Sequence, residues 1–328
     1  SERDGAYRMR LSRVATDHCR AVLPAATLTN VGVTANARTL EHAIAKLVSA
    51  ELIEEQRLGE AIREQGRLVT PTLIKYADKV DYLQRAPGLA LELARRYGFA
   101  DEEPAADSVT GDSAPEVKLV HWDPMGEEKL AAAILYRDSN LSYDEVLEQV
   151  KGLGTEARQA IIDESSAGLG PHDAPLREFE VVDYTFEFLL DYGAYREFKR
   201  HRMMSYLPQP LTVAHGYLIP QVVADAGLSA LFDDAVRPAE EAYWNVKEVS
   251  PQAAQYLVTH AHNRRVVTKF NLRESYHLFK MRTSDEAHFA IREPMVEAMR
   301  LAVEVQPQLF RHLKLRNYPD WWPHAKQD

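Results

Sequence analysis

Several common classes of protein need residues or runs that this sequence lacks. Of its 328 residues only Cys19 is a cysteine, so no internal disulfide can form and a secreted disulfide scaffold is excluded. No apolar run approaches the roughly 18 residues that span a bilayer. Basic residues are in deficit: 39 Lys and Arg against 49 Asp and Glu give a net charge of -10. That balance argues against general attraction to a nucleic-acid backbone, and any anion must be held by a local basic cluster. There is no glycine-rich phosphate loop, since Gly152-Leu153-Gly154 has the wrong continuation for a dinucleotide fingerprint. The expected setting is a reducing cytoplasm, with no membrane and no nucleic acid as partner. The chain opens Ser1-Glu2-Arg3 with neither Met nor an apolar signal region, an opening that fits a start partway into a longer gene product.

The composition is otherwise that of a globular protein, 45% hydrophobic and 27% charged, with length enough for two domains. The sharpest shift falls at Asp101 to Pro115, where acidic, small and Pro residues displace the hydrophobic pattern. It divides the chain into an N-terminal part at 1–100, a linker at 101–116 and a C-terminal domain at 117–328. Leu40, Ile44, Leu47, Leu52, Leu58 and Ile62 predict one helix over Thr39 to Arg67, capped by Thr39 or Asn36. Leu89 to Tyr97 predicts a shorter helix. Beyond the linker, Val117 to Trp122 predicts a strand, and Glu127 to Tyr136 and Tyr143 to Leu153 predict helices. Phe179 to Leu190 mixes β-branched and aromatic residues and runs into a basic helix over Tyr195 to Met204. Helical periods then dominate: Pro238 to Val246, Pro251 to His260, and Arg273 to Val305 interrupted by Pro294. The fold class is α+β.

An internal repeat precedes any motif, because it changes the reading of the fold. An offset of 235 places Asn36 on Asn271, Arg38 on Arg273, His42 on His277, Glu51 on Glu286 and Arg57 on Arg292 without a gap. The two Asn-x-Arg-x-x-x-His segments put polar groups at the opening of each helix, where free amides favour an anion. The plainer reading is that two amphipathic helices share a few polar positions.

The densest basic cluster is Tyr195-Arg196-Glu197-Phe198-Lys199-Arg200-His201-Arg202-Met203-Met204-Ser205. Its guanidinium forks suit phosphate, and a solvated helix face is the plain alternative. His260-Ala261-His262 lacks the Cys or carboxylate frame of a metal site, so none is assigned there. Cys19 is read as a small apolar core residue.

Arg200-His201-Arg202-x-x-Ser205 resembles the Arg-His-Arg-x-x-Ser signature of flavin-dependent thymidylate synthases. Upstream, His172-Asp173-Ala174-Pro175-Leu176 is similar to that family's flavin segment, with Ala174 in place of threonine. Downstream, Asn271-Leu272-Arg273, His277 and Arg282 resemble its Asn-x-Arg helix with a later arginine. The resemblance implies an α+β fold, FAD as cofactor, and reductive methylation of dUMP to dTMP, with methylenetetrahydrofolate and NADPH as co-substrates. A homo-oligomer with shared sites is also implied, either a tetramer or a dimer of two-domain chains. His172, Arg200, His201, Arg202, Asn271, Arg273 and His277 would contact flavin, as would Asn36, Arg38 and His42 in the first copy. Glu197, Arg200 and Arg282 would meet the nucleotide, with Arg282 as the catalytic residue that withdraws charge from the pyrimidine.

The departures from the family pattern are as informative. After Ser205 the chain reads Tyr206-Leu-Pro-Gln-Pro-Leu-Thr212 where the family has its phosphate loop, Gln255 stands where a phosphate arginine is expected, and Glu197 replaces a glutamine. Arg20, sixteen residues before Asn36, sits in Cys19-Arg20-Ala-Val-Leu-Pro24, which resembles the missing phosphate-arginine segment. The first copy in turn has Leu47 where the second has Arg282. The resemblance thus implies complementary halves: Arg20 from one and Arg282 from the other would make one nucleotide site. A homologue that binds flavin or serves in assembly without catalysis is the alternative.

Overall fold

The computed structural model describes residues 4–99 and 115–326. The linker read at 101–116 therefore lies outside the described residues except for Pro115 and Glu116. In chain order the helices are α1 (Asp4–Cys19), α2 (Ala37–Val48), α3 (Ile53–Val69), α4 (Asp81–Arg96), α5 (Gly126–Tyr136), α6 (Tyr143–Lys151) and α7 (Thr155–Ser165). They continue as α8 (Tyr192–Phe198), α9 (Gln221–Asp225), α10 (Ser229–Lys247), α11 (Pro251–Ala254), α12 (Leu272–Arg282) and α13 (Phe289–Val305). The strands are β1 (Glu116–Trp122), β2 (Asp183–Asp191), β3 (Ser205–Pro208) and β4 (Asn263–Asn271). The class is α+β, as expected. Among the described residues no helix is long and apolar enough to cross a membrane.

The chain forms two compact units that do not follow chain order. One comprises the described residues of Ser1–Val22, Gly111–Asp233 and His260–Asp328; the other those of Leu23–Thr110 and Asp234–Thr259. The first is built on an antiparallel sheet of order β1-β2-β4-β3. Strand β2, Asp-Tyr-Thr-Phe-Glu-Phe-Leu-Leu-Asp, alternates so that Tyr184, Phe186, Phe188 and Leu190 are buried together. Phe186 stacks on Phe270 of β4 at 5.5 Å. Helices α12 and α13 bury Leu278, Phe279, Met295, Ala298, Met299 and Ala302 in the same core. Each of the Leu, Phe and Met side chains contributes about 1.5–3 kcal/mol by leaving water. The second unit is leaner, with Ile44, Val48, Ile74 and Ala77 buried beside Ala37, Leu40 and Ile62. There α2 and α3 approach so closely at Gly59 that a Cβ would stand 2.8 Å from Leu47 Cβ.

The offset of 235 read from the sequence is also an offset of structure. The 3-10 turn at Arg20–Val22 maps onto the one at Gln255–Leu257, α2 onto α12, and the 17-residue α3 onto the 17-residue α13 with a shift of one. Pro24 forms an antiparallel bridge with Thr259, the residue it maps onto.

Several expected boundaries move. The helix expected over Thr39 to Arg67 is two, because the steps of five and six from Leu47 to Leu52 to Leu58 break the helical phase, and Ser49 closes α2 with its hydroxyl on Ala45 O at 2.6 Å. Asn36, not Thr39, caps α2, its Oδ1 accepting from Thr39 N at 2.9 Å. The short helix expected from Leu89 begins at Asp81, with Pro87 inside it. The basic helix expected to Met204 ends at Phe198, where the Tyr206 hydroxyl donates to Phe198 O at 2.7 Å and His201 O at 2.9 Å. Pro238 lies within α10 and not at its first turn. Pro251 to His260 is one α turn and a 3-10 turn ending at Leu257. Pro294 does not interrupt α13, whose buried face outweighs one lost hydrogen bond; the interruption falls between Arg282 and Phe289. Cys19 is exposed, so it is not a core residue.

Candidate active site

A cavity of about 650 Å³ opens in the sheet-containing unit. Stretches far apart in sequence line it. Helix α1 and the turn after it supply Arg13, Asp17 and Arg20, four and three residues apart and so on one helical face. The segment before β2 supplies His172, Asp173, Ala174 and Pro175, and α8 supplies Glu197. Helix α12 presents Arg273, Tyr276, His277, Lys280 and Arg282, and the stretch after α13 adds His312, Lys314 and Arg316. Seven Arg and Lys (13, 20, 273, 280, 282, 314, 316) face four Asp and Glu (17, 173, 197, 286). In a chain of net charge -10 this is the local basic cluster an anionic ligand requires. Burial pushes His277 and His288 below their ordinary values, so both are mainly neutral at pH 7.

Arg282 is held from two sides. Its Nη1 donates to Glu197 Oε2 at 3.2 Å, its Nη2 to Glu197 O at 3.3 Å, and its Nε to His201 Nε2 at 3.0 Å. An arginine Nε can only donate, so His201 Nε2 accepts, and the imidazole proton sits on Nδ1, which meets Glu274 Oε1 at 2.9 Å. His201 and Glu274 are both buried. The chain Glu274–His201–Arg282–Glu197 fixes the orientation of the guanidinium, and burial pushes Arg282 down from its ordinary value.

Six of the residues singled out from the sequence, Arg20, His172, Glu197, Arg273, His277 and Arg282, meet in this cavity. Arg200 lines an adjoining cavity of about 350 Å³ that shares Asp17, Arg20, Glu197 and His288 with the first. His201 is buried and lines neither, its nitrogens engaged by Glu274 and Arg282, and Arg202 is exposed and lines neither. Asn271 caps α12, its Oδ1 accepting from Glu274 N at 2.8 Å, and faces a pocket of about 180 Å³ with Arg273 and His277. Arg273 donates to Pro175 O at 2.8 Å and pairs with Glu180 at 3.1 Å. Asn36, Arg38 and His42 belong to the other unit, where Arg38 and His42 are exposed. The stretch from Pro208 is tied to the sheet: Pro208 pairs with Val266, and Gln209 N donates to Arg265 O at 3.0 Å. Among the described residues no group of three or more His, Cys, Asp or Glu could hold a metal.

Sequence reasoning missed Arg13, Asp17, Glu274, Lys314 and Arg316. The spacing of Arg13, Asp17 and Arg20 could have revealed the first two. Lys314 and Arg316, two apart in an extended stretch, carry the period that puts side chains on one side. Glu274 carries no such mark, because its partner His201 is 73 residues away.

A family model, that of the thymidylate synthase complementing protein, matches residues 3–72 and 118–308. The chain belongs to this family. The match takes in both Asn-x-Arg-x-x-x-His helices of the repeat, α2 and α12. Two UPF0159 proteins, from Chlamydia muridarum and Chlamydia pneumoniae, are 29% and 30% identical over 325 residues, which is 96% of this chain and 60% of each relative. The chain thus spans about 60% of the length of these relatives. A protein of Geobacter sulfurreducens named flavin-dependent thymidylate synthase is 28% identical over 199 residues, covering 58% of this chain and 82% of that relative.

Proposed function

We propose that this chain carries the binding and catalytic groups for an FAD-dependent reductive methylation of dUMP to dTMP, with methylenetetrahydrofolate as one-carbon donor and NADPH as reductant. One observation carries the reading: Arg20 and Arg282, each absent from the other copy of the repeat, line the same cavity. FAD fits the residues present, since the lining has seven cations to four carboxylates and the volume of about 650 Å³ lies within the usual range of ligand sites. His172, Arg273 and His277 would hold it, and when bound it supplies the hydride that methylation requires. Arg282, fixed by Glu197 and His201, offers a preorganised cation where negative charge develops on a pyrimidine. Arg20, which among the described residues pairs only with Asp17, at 3.5 Å, would meet a phosphate. Arg38, His42 and Arg202 are exposed and would complete the site of a second chain in a homo-oligomer.

The second reading, a homologue that binds flavin without catalysis, is favoured by the Glu197 carboxylate already on Arg282 and by the sheet pairing of the stretch after Ser205. Purified protein assayed for released flavin and for dUMP-dependent product decides between them. Bound flavin with turnover lost in Arg282→Ala, and with dUMP affinity about 10- to 150-fold weaker in Arg20→Ala, supports catalysis. Bound flavin with neither turnover nor dUMP binding supports the second reading, and protein that takes up no FAD overturns both.

A further inference from the structure

Helix α4 leaves open a face that a helix of a folded protein ordinarily buries. At about 100° per residue, the nine apolar residues of Asp-Tyr-Leu-Gln-Arg-Ala-Pro-Gly-Leu-Ala-Leu-Glu-Leu-Ala-Arg-Arg all fall on one arc of about 200°. None of them is buried, and Tyr82 and Leu89 are 73% and 52% exposed. Arginines edge the arc, Arg85 and Arg96 on one side and Arg95 on the other. Asp81 and Glu92 stand at the middle of the polar side, where Glu92 pairs with Arg96. The same unit carries a surface of the converse chemistry. A groove of about 560 Å³ runs between α2 and α3, with Ala37, Leu40, Ala61, Ile62, Gly66 and Val69 in its lining and no charged residue among the described residues that form it. Its rim is acidic. Glu60 and Glu64 are exposed, each directly precedes a lining residue of α3, and among the described residues neither has an ion-pair partner.

We propose that α4 of one chain seats in the α2–α3 groove of a second copy, whose own α4 fills the groove of the first. An apolar arc edged by arginines meets an uncharged groove rimmed by glutamates, in the helix-in-groove mode of recognition. A second copy is the occupant because every chain carries both halves: one two-fold contact fills two grooves and covers two helices, and it closes. Burial of the leucines supplies the affinity, while the facing Arg and Glu select the partner. Helix α4 falls in the gap between the two stretches that match the family model, so the contact does not depend on the nucleotide reading.

The test is sedimentation of the full chain over a range of concentrations, with variants at exposed positions only. Leu89→Glu with Leu93→Glu should weaken association about a hundredfold. Two further variants reverse charge: one carries Arg85→Glu, Arg95→Glu and Arg96→Glu, the other Glu60→Arg and Glu64→Arg. Each alone should associate about tenfold more weakly than the parent, and an equimolar mixture of the two should regain the parent's affinity, which also shows that both are folded. Benzoylphenylalanine in place of Leu89 should, on irradiation, join two chains, with the adduct on the other chain between Ala61 and Thr70. An oligomer held through some other contact keeps it in every variant, so the association step lost on charge reversal and regained on mixing is what is read. A parent that stays monomeric overturns the proposal, as does association unchanged in all three variants or a mixture no stronger than its parts. So does an adduct within one chain, which would mean that α4 closes on its own groove.

Discussion

Helices α2 and α12 share one sequence pattern and serve different ends. Both are capped by an asparagine that accepts from the third amide of the helix, Asn36 from Thr39 N at 2.9 Å and Asn271 from Glu274 N at 2.8 Å. Both end on a hydroxyl residue, Ser49 or Thr283, and both lead into a 17-residue helix. They differ at the last turn. Leu47 of α2 packs at Gly59 of α3, whereas its counterpart Arg282 faces the large cavity between Glu197 and His201. Like caps and like phase thus carry different chemistry, because capping and phase are local while a charged site needs partners from elsewhere in the chain.

Three experiments press on this comparison. The largest effect is expected at the paired core positions Phe279 and Ile44, both fully buried and 235 apart. Phe279→Ala should cost about 3–5 kcal/mol in denaturant unfolding and Ile44→Ala about 2, since the leaner core can collapse around the loss. Equal costs would mean that the two helices are equally embedded. Next is a group with no counterpart in the other unit. Asp191 has its folded value pushed up to about 7 by burial, against 3.8 ordinarily, so the folded state holds a proton that the unfolded chain releases. Its contribution is most favourable below pH 4 and is lost as pH rises toward 7. Asp191→Asn keeps the cap on Ala194 N and removes the titration. Between pH 5 and 7 the stability of the parent should fall relative to this variant by about 2–3 kcal/mol, and parallel curves would show that Asp191 is charged throughout. The smallest effect concerns the caps themselves: Asn36→Ala and Asn271→Ala should each cost about 1 kcal/mol. A much larger loss at Asn271 alone would assign it a role beyond capping.

The parts of this structure written locally were legible in the sequence. Strand β1 and helices α5 and α6 stand where alternation and helical period predict them, and the register of the repeat is matched by helices of 12 and 11 residues followed by helices of 17 residues each. Strand β4 was not legible, because Asn-Arg-Arg-Val-Val-Thr-Lys-Phe-Asn reads as a polar stretch. Its charges have distant partners: Arg265 pairs with Glu187 of β2 at 2.9 Å, and Arg264 lies over the Tyr195 ring at 4.7 Å. The same limit governs the site. Motif residues on one helix face were found from spacing, whereas the Glu274–His201 contact and the cations after α13 depend on tertiary packing that no local window contains. The basic cluster at Arg200 was found as a composition, but its separation into buried His201, exposed Arg202 and cavity-lining Arg200 follows from the early end of α8.

The unit that carries both cavities is assembled from three pieces of chain, and its first piece ends at Val22 while its last begins at His260. During synthesis at roughly 5–20 residues per second, α1 and Arg20 emerge on the order of ten to fifty seconds before strand β4, helix α12 and Arg282 exist. The basic wall of the cavity therefore cannot form progressively from the N-terminus. It closes only after the third piece has been made, with the slow folding expected of contacts far apart in sequence.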